Sequence, residues 1–297
     1  MTETVQRPLQ AVVDAQRTLE GGGFPVRRPF PTAQMPQVDP FLLIDEMGPV
    51  TWPPGEAIGA PDHPHRGFET VTYMLAGTNE HKDSRGNAAR LGPGDVQWMT
   101  AGSGVVHSEM PEETLRLAGG LMHGFQIWVN LPAAHKMMAP RYQDIPAKTI
   151  PRATTPDGLV SVRVIAGRAL GAEAVIDTVT PIMMMHFTLA PGGRVDVPVP
   201  TDHNAMAYVF SGRVRLGPEG APAESGQLGV FGGGDSVRLA GVEGDSNGDV
   251  ADLLLLTGVP LGEPIARYGP FVMNTREEIV QAYEDYQQGR FGVIPGE

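Results

Sequence analysis

Short apolar runs bounded by glycine and proline recur along the chain. Residues 69–76 are β-branched and aromatic and stop at Gly77, and residues 96–100 follow a tight Gly-Pro-Gly turn. Residues 40–44 are a further apolar run, and residues 124–131 alternate apolar and polar side chains. Runs of this length and composition predict β-strands. The polar stretch 78–90 predicts a loop.

The second half of the chain repeats this pattern. Residues 204–211 end at Gly212 as residues 69–76 end at Gly77, and Phe231-Gly-Gly-Gly-Asp235 resembles Leu91-Gly-Pro-Gly-Asp95. An internal repeat on this scale predicts two similar β-domains in tandem. We expect a first domain at 1–131, a proline-rich linker at 132–156 and a second domain at 157–297.

A helix is predicted near the end of the chain. Thr275 and Glu278 have the spacing of a capping box, in which each side chain bonds the other residue's backbone N–H. Gly289 is placed to end the helix. We expect the helix to pack across a barrel through an apolar stripe of four residues: Ile279, Val280, Tyr283 and Tyr286.

Composition narrows the class of protein. The net charge is −12, so a phosphate backbone would repel the chain and direct nucleic-acid binding is not expected. The chain has no cysteine, which leaves histidine and carboxylate as metal ligands. No signal peptide and no apolar run of membrane-spanning length stand out. We therefore expect a cytoplasmic monomer that binds no membrane.

Two residue pairs carry the candidate chemistry. His63 and His65 are two residues apart, as are His107 and Glu109, so each pair shares one face of a strand. If the two strands lie side by side, three imidazoles and one carboxylate converge. Such a set suits Fe, Mn, Co, Ni, Cu or Zn. Histidines that are merely solvated or hydrogen-bonded in loops are the alternative.

The strings around these pairs resemble a known family. They are His63-Pro-His-Arg-Gly-Phe-Glu-Thr-Val-Thr-Tyr73, Gly94-Asp-Val-Gln-Trp-Met-Thr-Ala-Gly102, His107-Ser-Glu-Met110 and Gln126-Ile-Trp-Val-Asn-Leu131. The spacing of histidine, glutamate and glycine resembles the cupin pattern, and the longer strings resemble the pirin family. The resemblance is strongest from about Val38 to Leu131.

This resemblance implies an all-β bicupin, with two tandem antiparallel jelly-roll β-barrels and a short C-terminal helix. It implies one transition-metal ion, Fe(II) above all, in the first domain, with His63, His65, His107 and Glu109 as ligands. Some pirins oxidise the flavonol quercetin with dioxygen, and others are transcriptional co-regulators. A metal-dependent dioxygenase of flavonol-like substrates is the expected function. The alternative is a metal- or redox-sensing regulatory protein that acts through a protein partner.

Other residues have candidate roles around the site. Glu109 is the nearest candidate base for a substrate hydroxyl. Arg66 and Glu69 are candidates for orienting a ligand imidazole, although Glu69 could equally bond backbone inside the barrel. The acids Asp45 and Glu46 could either rim the metal pocket or form a surface turn.

The second domain lacks the metal pattern. Alignment on Gly77 and Gly212 places Pro198, Pro200 and Asn204 where the first half has His63, His65 and Glu69. Alignment on Asp95 and Asp235 places Asn247 and Asp249 near the positions of His107 and Glu109. The unpaired His186 and His203 are expected to be structural.

Overall fold

Strands make up most of the chain. The computed structural model describes residues 4–242 and 250–295, so Asn247 and Asp249 lie outside the described residues. The α-helices of this described part are α1 (Glu113–Ala118) and α2 (Arg276–Gln287), and a 3₁₀ turn spans Ala133–His135. No described helix has the length and apolarity needed to cross a membrane.

The strands are numbered in chain order. The first half contains β1 (Leu9–Asp14), β2 (Gln16–Glu20), β3 (Phe24–Phe30), β4 (Phe41–Trp52), β5 (Ala60–His65), β6 (Phe68–Ala76), β7 (Asn79–Asp83), β8 (Ala88–Leu91), β9 (Val96–Thr100), β10 (Val105–Pro111), β11 (Gly120–Asn130) and β12 (Arg141–Ile145). The second half contains β13 (Arg152–Thr154), β14 (Val160–Ala166), β15 (Arg168–Ala169), β16 (Ala172–Glu173), β17 (Ile182–Leu189), β18 (Arg194–Pro198), β19 (Asn204–Ser211), β20 (Arg213–Leu216), β21 (Ala221–Glu224), β22 (Gln227–Phe231), β23 (Ser236–Gly241), β24 (Ala251–Gly258), β25 (Ala266–Tyr268) and β26 (Phe271–Met273).

The chain divides into two compact units. Unit N comprises residues 17–147 and those from 261 onward, and unit C comprises residues up to 16 and 148–260. Unit N has a seven-stranded sheet in the order β12-β9-β6-β11-β4-β3-β2 and a four-stranded sheet in the order β5-β10-β7-β8. Unit C repeats this with β1-β22-β19-β24-β17-β14-β13 and β18-β23-β20-β21. The all-β bicupin architecture and its internal repeat are therefore confirmed.

The compact units are not continuous in sequence, and the domain bounds 1–131, 132–156 and 157–297 stay a prediction. Helix α2 belongs to unit N rather than to a C-terminal domain, and β1 belongs to unit C. The segment 132–156, expected as a linker, supplies β12 to one large sheet and β13 to the other. Reading the chain in order could not reveal this, because each unit recruits strands from distant sequence positions.

Helix α2 packs on unit N through a small apolar cluster. Thr275 and Glu278 form the expected capping box. Ile279 and Ala282 are buried in a cluster with Val106 of β10, as well as with Phe271 and Phe291. The predicted stripe was wrong at Val280 and Tyr286, which are 52% and 39% exposed. Asp285 is buried instead, because its carboxylate forms an ion pair with Arg66.

A buried lysine joins three segments of unit N. The Lys136 ammonium donates to the carbonyls of Gly67 (2.8 Å) and Val272 (3.0 Å) and to Asn130 Oδ1 (2.6 Å). All three of its protons therefore have acceptors. Burial lowers the pKa of Lys136 to about 8. Gly67 has a φ of +89°, and a side-chain carbon there would lie 2.0 Å from the Val272 carbonyl oxygen. Only glycine therefore allows the backbones of these two segments to approach so closely.

We predict that Lys136→Met destabilises the protein. Unfolding free energy from urea titration should fall by roughly 2–5 kcal/mol at pH 7, because each buried acceptor left without a donor costs about 1–3 kcal/mol. The folded pKa of Lys136 lies below its ordinary value of 10.5, so wild-type stability should rise as pH increases from about 8 towards that value, and the gap to the variant should widen. The exposed Lys148 provides the control, and Lys148→Met should change little. Equal stability of the two variants would contradict the prediction.

Candidate metal centre

Strand β5 lies against β10, as the two residue pairs require. In this antiparallel pairing His63 is opposite His107, and His65 is opposite Val105. The other edge of β10 pairs with β7, where Glu109 is opposite His81. Pro64 does not interrupt the site, because its side chain points to the opposite face of β5 from the two histidines.

The three predicted histidines converge. The ring centroids of His63 and His65 are 4.7 Å apart, those of His63 and His107 are 4.3 Å apart, and those of His65 and His107 are 4.9 Å apart. One nitrogen from each ring lies within 4.8 Å of the others. This is the spacing that a single bound ion requires, and His65 and His107 are almost fully buried.

Hydrogen bonds fix which nitrogen of two rings is free. Nδ1 of His63 lies 2.7 Å from the Pro61 carbonyl oxygen, and Nδ1 of His65 lies 3.2 Å from the Pro270 carbonyl oxygen. A carbonyl can only accept, so each Nδ1 carries the proton and each Nε2 keeps its lone pair. Backbone carbonyls commonly orient metal-ligating histidines in this way. The donor set therefore fits a transition-metal ion.

Burial also lowers the pKa of two of these rings, His65 and His107. Desolvation, followed by repulsion from His63, lowers the pKa of His65 well below its ordinary value. Desolvation and the neighbouring imidazoles lower the pKa of His107 in the same direction. Both rings are thus neutral near pH 7, which is the form that binds metal.

Glu109 is held by two polar neighbours. Thr72 donates to Oε1 at 2.6 Å, and Gln126 Nε2 donates to Oε2 at 2.8 Å. Its carboxylate lies within 4.8 Å of ligand nitrogens from His107 and His81, rather than grouping with all three predicted histidines. The structure thus brings Glu109 to the site, but beside a histidine that the sequence analysis did not select.

That histidine, His81, lies in a strand that we predicted as loop. Residues 78–90 contain β7 and most of β8, so the loop prediction was wrong. Asn79, His81 and Asp83 alternate with Glu80 and Lys82, and all three are buried. This alternation was the available signal. It was hidden by the charge of the stretch and by the lack of a second histidine two residues away.

A cavity opens beside the histidines. Its volume is roughly 480 Å³, within the range of small-molecule sites. Apolar and aromatic side chains share its wall with a few polar groups. The lining includes Phe24, Leu43, Asp45, Met47, His63, His65, Asn79, Glu109, Met122, Gln126, Trp128 and Arg267. The guanidinium of Arg267 stacks on Trp128, 4.7 Å from its ring centroid.

The two acids on β4 are buried rather than part of a surface turn. Asp45 lines the cavity and accepts two hydrogen bonds from Arg28, at 2.7 and 2.5 Å. Burial raises the pKa of Asp45 to about 6, although Arg28 opposes the shift. Glu46 instead pairs with Arg27 at 2.6 Å and with His123 at 2.8 Å. Only the first of the two acids thus rims the pocket.

Comparison with known proteins identifies this arrangement. The pirin family model matches residues 23–129, and the model of the pirin C-terminal cupin domain matches residues 184–292. The chain belongs to the pirin family. A pirin-like protein of Caulobacter vibrioides is 44% identical over 291 residues, covering 96% of this chain and 99% of the relative. Human pirin is 41% identical over 278 residues, covering 92% and 90%.

A solved structure of a related protein has the same fold. The crystal structure of quercetin 2,3-dioxygenase from Acinetobacter baumannii superposes with a TM-score of 0.89. It is 37% identical and is matched over 97% of this chain and 99% of its own. This pirin therefore shares its full two-domain architecture with a protein described as a dioxygenase.

The two further residues expected to orient a ligand have other contacts. Arg66 donates to the Ser103 carbonyl at 2.8 Å, pairs with Asp285 of α2 at 2.8 Å and lies over the ring of Phe291. These contacts tie the end of β5 to the C-terminal segment, and the orienting role of Arg66 stays a prediction. Glu69 accepts from Thr100 at 2.6 Å, a contact that links β6 to β9.

Unit C of this pirin has filled its interior with apolar side chains. Val195, Val197, Val237 and Leu239 belong to one large apolar cluster. They lie on β18 and β23, which occupy the places that β5 and β10 hold in unit N. His186 bonds Asp252 at 3.0 Å, and His203 bonds Thr257 at 2.9 Å, as expected for structural histidines.

We predict one transition-metal ion per chain, lost on His107→Ala. This ring contributes to both groups of converging ligand atoms, so its removal leaves neither complete. Metal content of purified protein, measured by plasma mass spectrometry, should fall from about one equivalent to near zero, given the strong dependence of affinity on ligand count. His135→Ala alters an exposed histidine and should keep the metal. A metal-loaded His107→Ala protein would contradict the assignment.

Proposed function

We propose that this pirin is a metal-dependent dioxygenase of flavonol-like substrates, of the quercetin 2,3-dioxygenase type, with Fe(II) as the ion. His63, His65, His107 and Glu109 would hold it. The observation that carries the proposal is the cavity of roughly 480 Å³ whose wall includes His63, His65 and Glu109. A site that served only to stabilise a barrel would have no need of such space beside its ligands.

The cavity wall suits a flat aromatic molecule. Trp128, Phe24 and the two methionines supply apolar surface, and Gln126, Asn79 and Arg267 supply a few polar contacts. Small-molecule sites combine these features, because apolar burial gives affinity and a few polar groups fix orientation. A flavonol, with fused rings and an α-hydroxy-ketone edge, matches this division.

The bound ion would act as a Lewis acid that lowers the pKa of a coordinating substrate hydroxyl. The Glu109 carboxylate would receive the proton of that hydroxyl. Thr72 and Gln126 hold the carboxylate by donating to both of its oxygens, so it needs little reorganisation to act. The apolar side chains of the cavity wall would limit water beside the reacting atoms.

Glu109→Gln should separate proton transfer from metal binding. The amide keeps the size and one oxygen donor but cannot accept the proton, so quercetin-dependent oxygen uptake should fall by about 10²–10⁴ with metal in excess. His107→Ala should lose metal and turnover together. Bound metal is quantified in every sample. A metal-loaded Glu109→Gln protein with wild-type turnover would remove Glu109 as base.

Oxygen uptake by the wild type decides between the two functional classes. Iron-loaded protein should consume dioxygen when quercetin is added, and heat-unfolded protein should not. A metal-loaded wild type that is inactive on quercetin and related flavonols would reject the enzyme. The metal- or redox-sensing regulatory protein would then be the better account.

A further inference from the structure

A second set of ligands lies on the β7 side of β10. His81 is 1% exposed, and its ring stacks on Tyr142 with centroids 5.1 Å apart. Its centroid lies 5.3 Å from that of His107. Strand pairing fixes this position, because His81 is directly opposite Glu109 in the register of β7 and β10.

The three side chains form a recognised donor set. One ligand atom from each of His81, His107 and Glu109 lies within 4.8 Å of the other two. Two imidazoles and one carboxylate are the donors of the facial triad that holds Fe(II) in non-haem oxygenases. The other group, His63, His65 and His107, offers three imidazole nitrogens.

Unsatisfied polar atoms point to a ligand between these residues. Among the described residues, neither ring nitrogen of His81 or of His107 has a hydrogen-bond partner, and all four are buried. The nearest acid to His81 is Asp83, whose Oδ2 is 3.7 Å from Nε2, beyond hydrogen-bond distance. The Tyr142 hydroxyl is also buried without a partner. An ion beside His63 and His65 would satisfy one nitrogen of His107 and leave His81 with no polar contact closer than the 3.7 Å approach of Asp83 to Nε2.

We propose that the ion has a second position, held by His81, His107 and Glu109. The two positions share His107 and Glu109, and two dications so close together would repel each other, so one ion occupies one position at a time. This extends the metal binding proposed above and does not depend on the dioxygenase reaction. The second position has fewer imidazoles than the first, so it favours harder ions such as Mn(II), whereas the first position favours Zn(II) over Mn(II).

Cobalt titration of the full chain tests the second position. The variant His63→Ala/His65→Ala should still bind one Co(II), with its visible absorption bands, although with affinity reduced about 10-fold or more. Adding His81→Phe, which keeps a ring against Tyr142, should abolish stoichiometric binding. Adding His135→Phe instead should change nothing, because His135 is exposed. Circular dichroism verifies that each variant is folded.

Two results would overturn the second position. One is a folded double variant that binds no Co(II), and the other is a triple variant with His81→Phe that binds as the double variant does. If the double variant does not fold, the single variant His81→Phe decides: Mn(II) affinity should fall about 10-fold or more while Zn(II) affinity is kept. Unchanged Mn(II) affinity would contradict the proposal. An inactive wild type would reject the dioxygenase without affecting either binding result.

Discussion

The antiparallel pairing of β5 with β10 is the constraint on which the candidate site depends. It sets His63 opposite His107, so that one nitrogen from each of the three imidazoles lies within 4.8 Å of the other two. A shift of one residue along either strand would turn the ligand side chains of that strand to the other face of the sheet. Much of unit N stabilises this register: Lys136 holds the turn after β5 through Gly67, and Arg66 joins the end of β5 to α2.

The last segment of the chain completes the centre from a distance in sequence. Pro270 supplies the carbonyl that fixes the tautomer of His65, and Phe271 packs beneath β10 with α2. Unit C has the same sheet order but an apolar interior. The same fold thus supports a polar centre in one unit and a packed core in the other, and the inward-facing positions of two strands decide which.

The parts of this arrangement that follow from local sequence could be predicted. Residues two apart on a strand share a face, so His63, His65, His107 and Glu109 could be selected without knowledge of the fold. His81 was not selected, because the alternation that places it on the buried face of β7 is hidden among charged residues. The ion pair of Asp45 with Arg28 and the place of α2 in unit N also escaped prediction. Both depend on contacts between residues distant in sequence, for which a single chain gives no pattern.

We propose that unit N holds one transition-metal ion at the histidines of β5 and β10. Anomalous X-ray scattering at the iron edge, from crystals of iron-loaded protein, tests it most directly. We predict one peak per chain, in contact with His107 and with further ligands from His63, His65, His81 and Glu109. No peak at these residues, or a peak within unit C, would contradict the account.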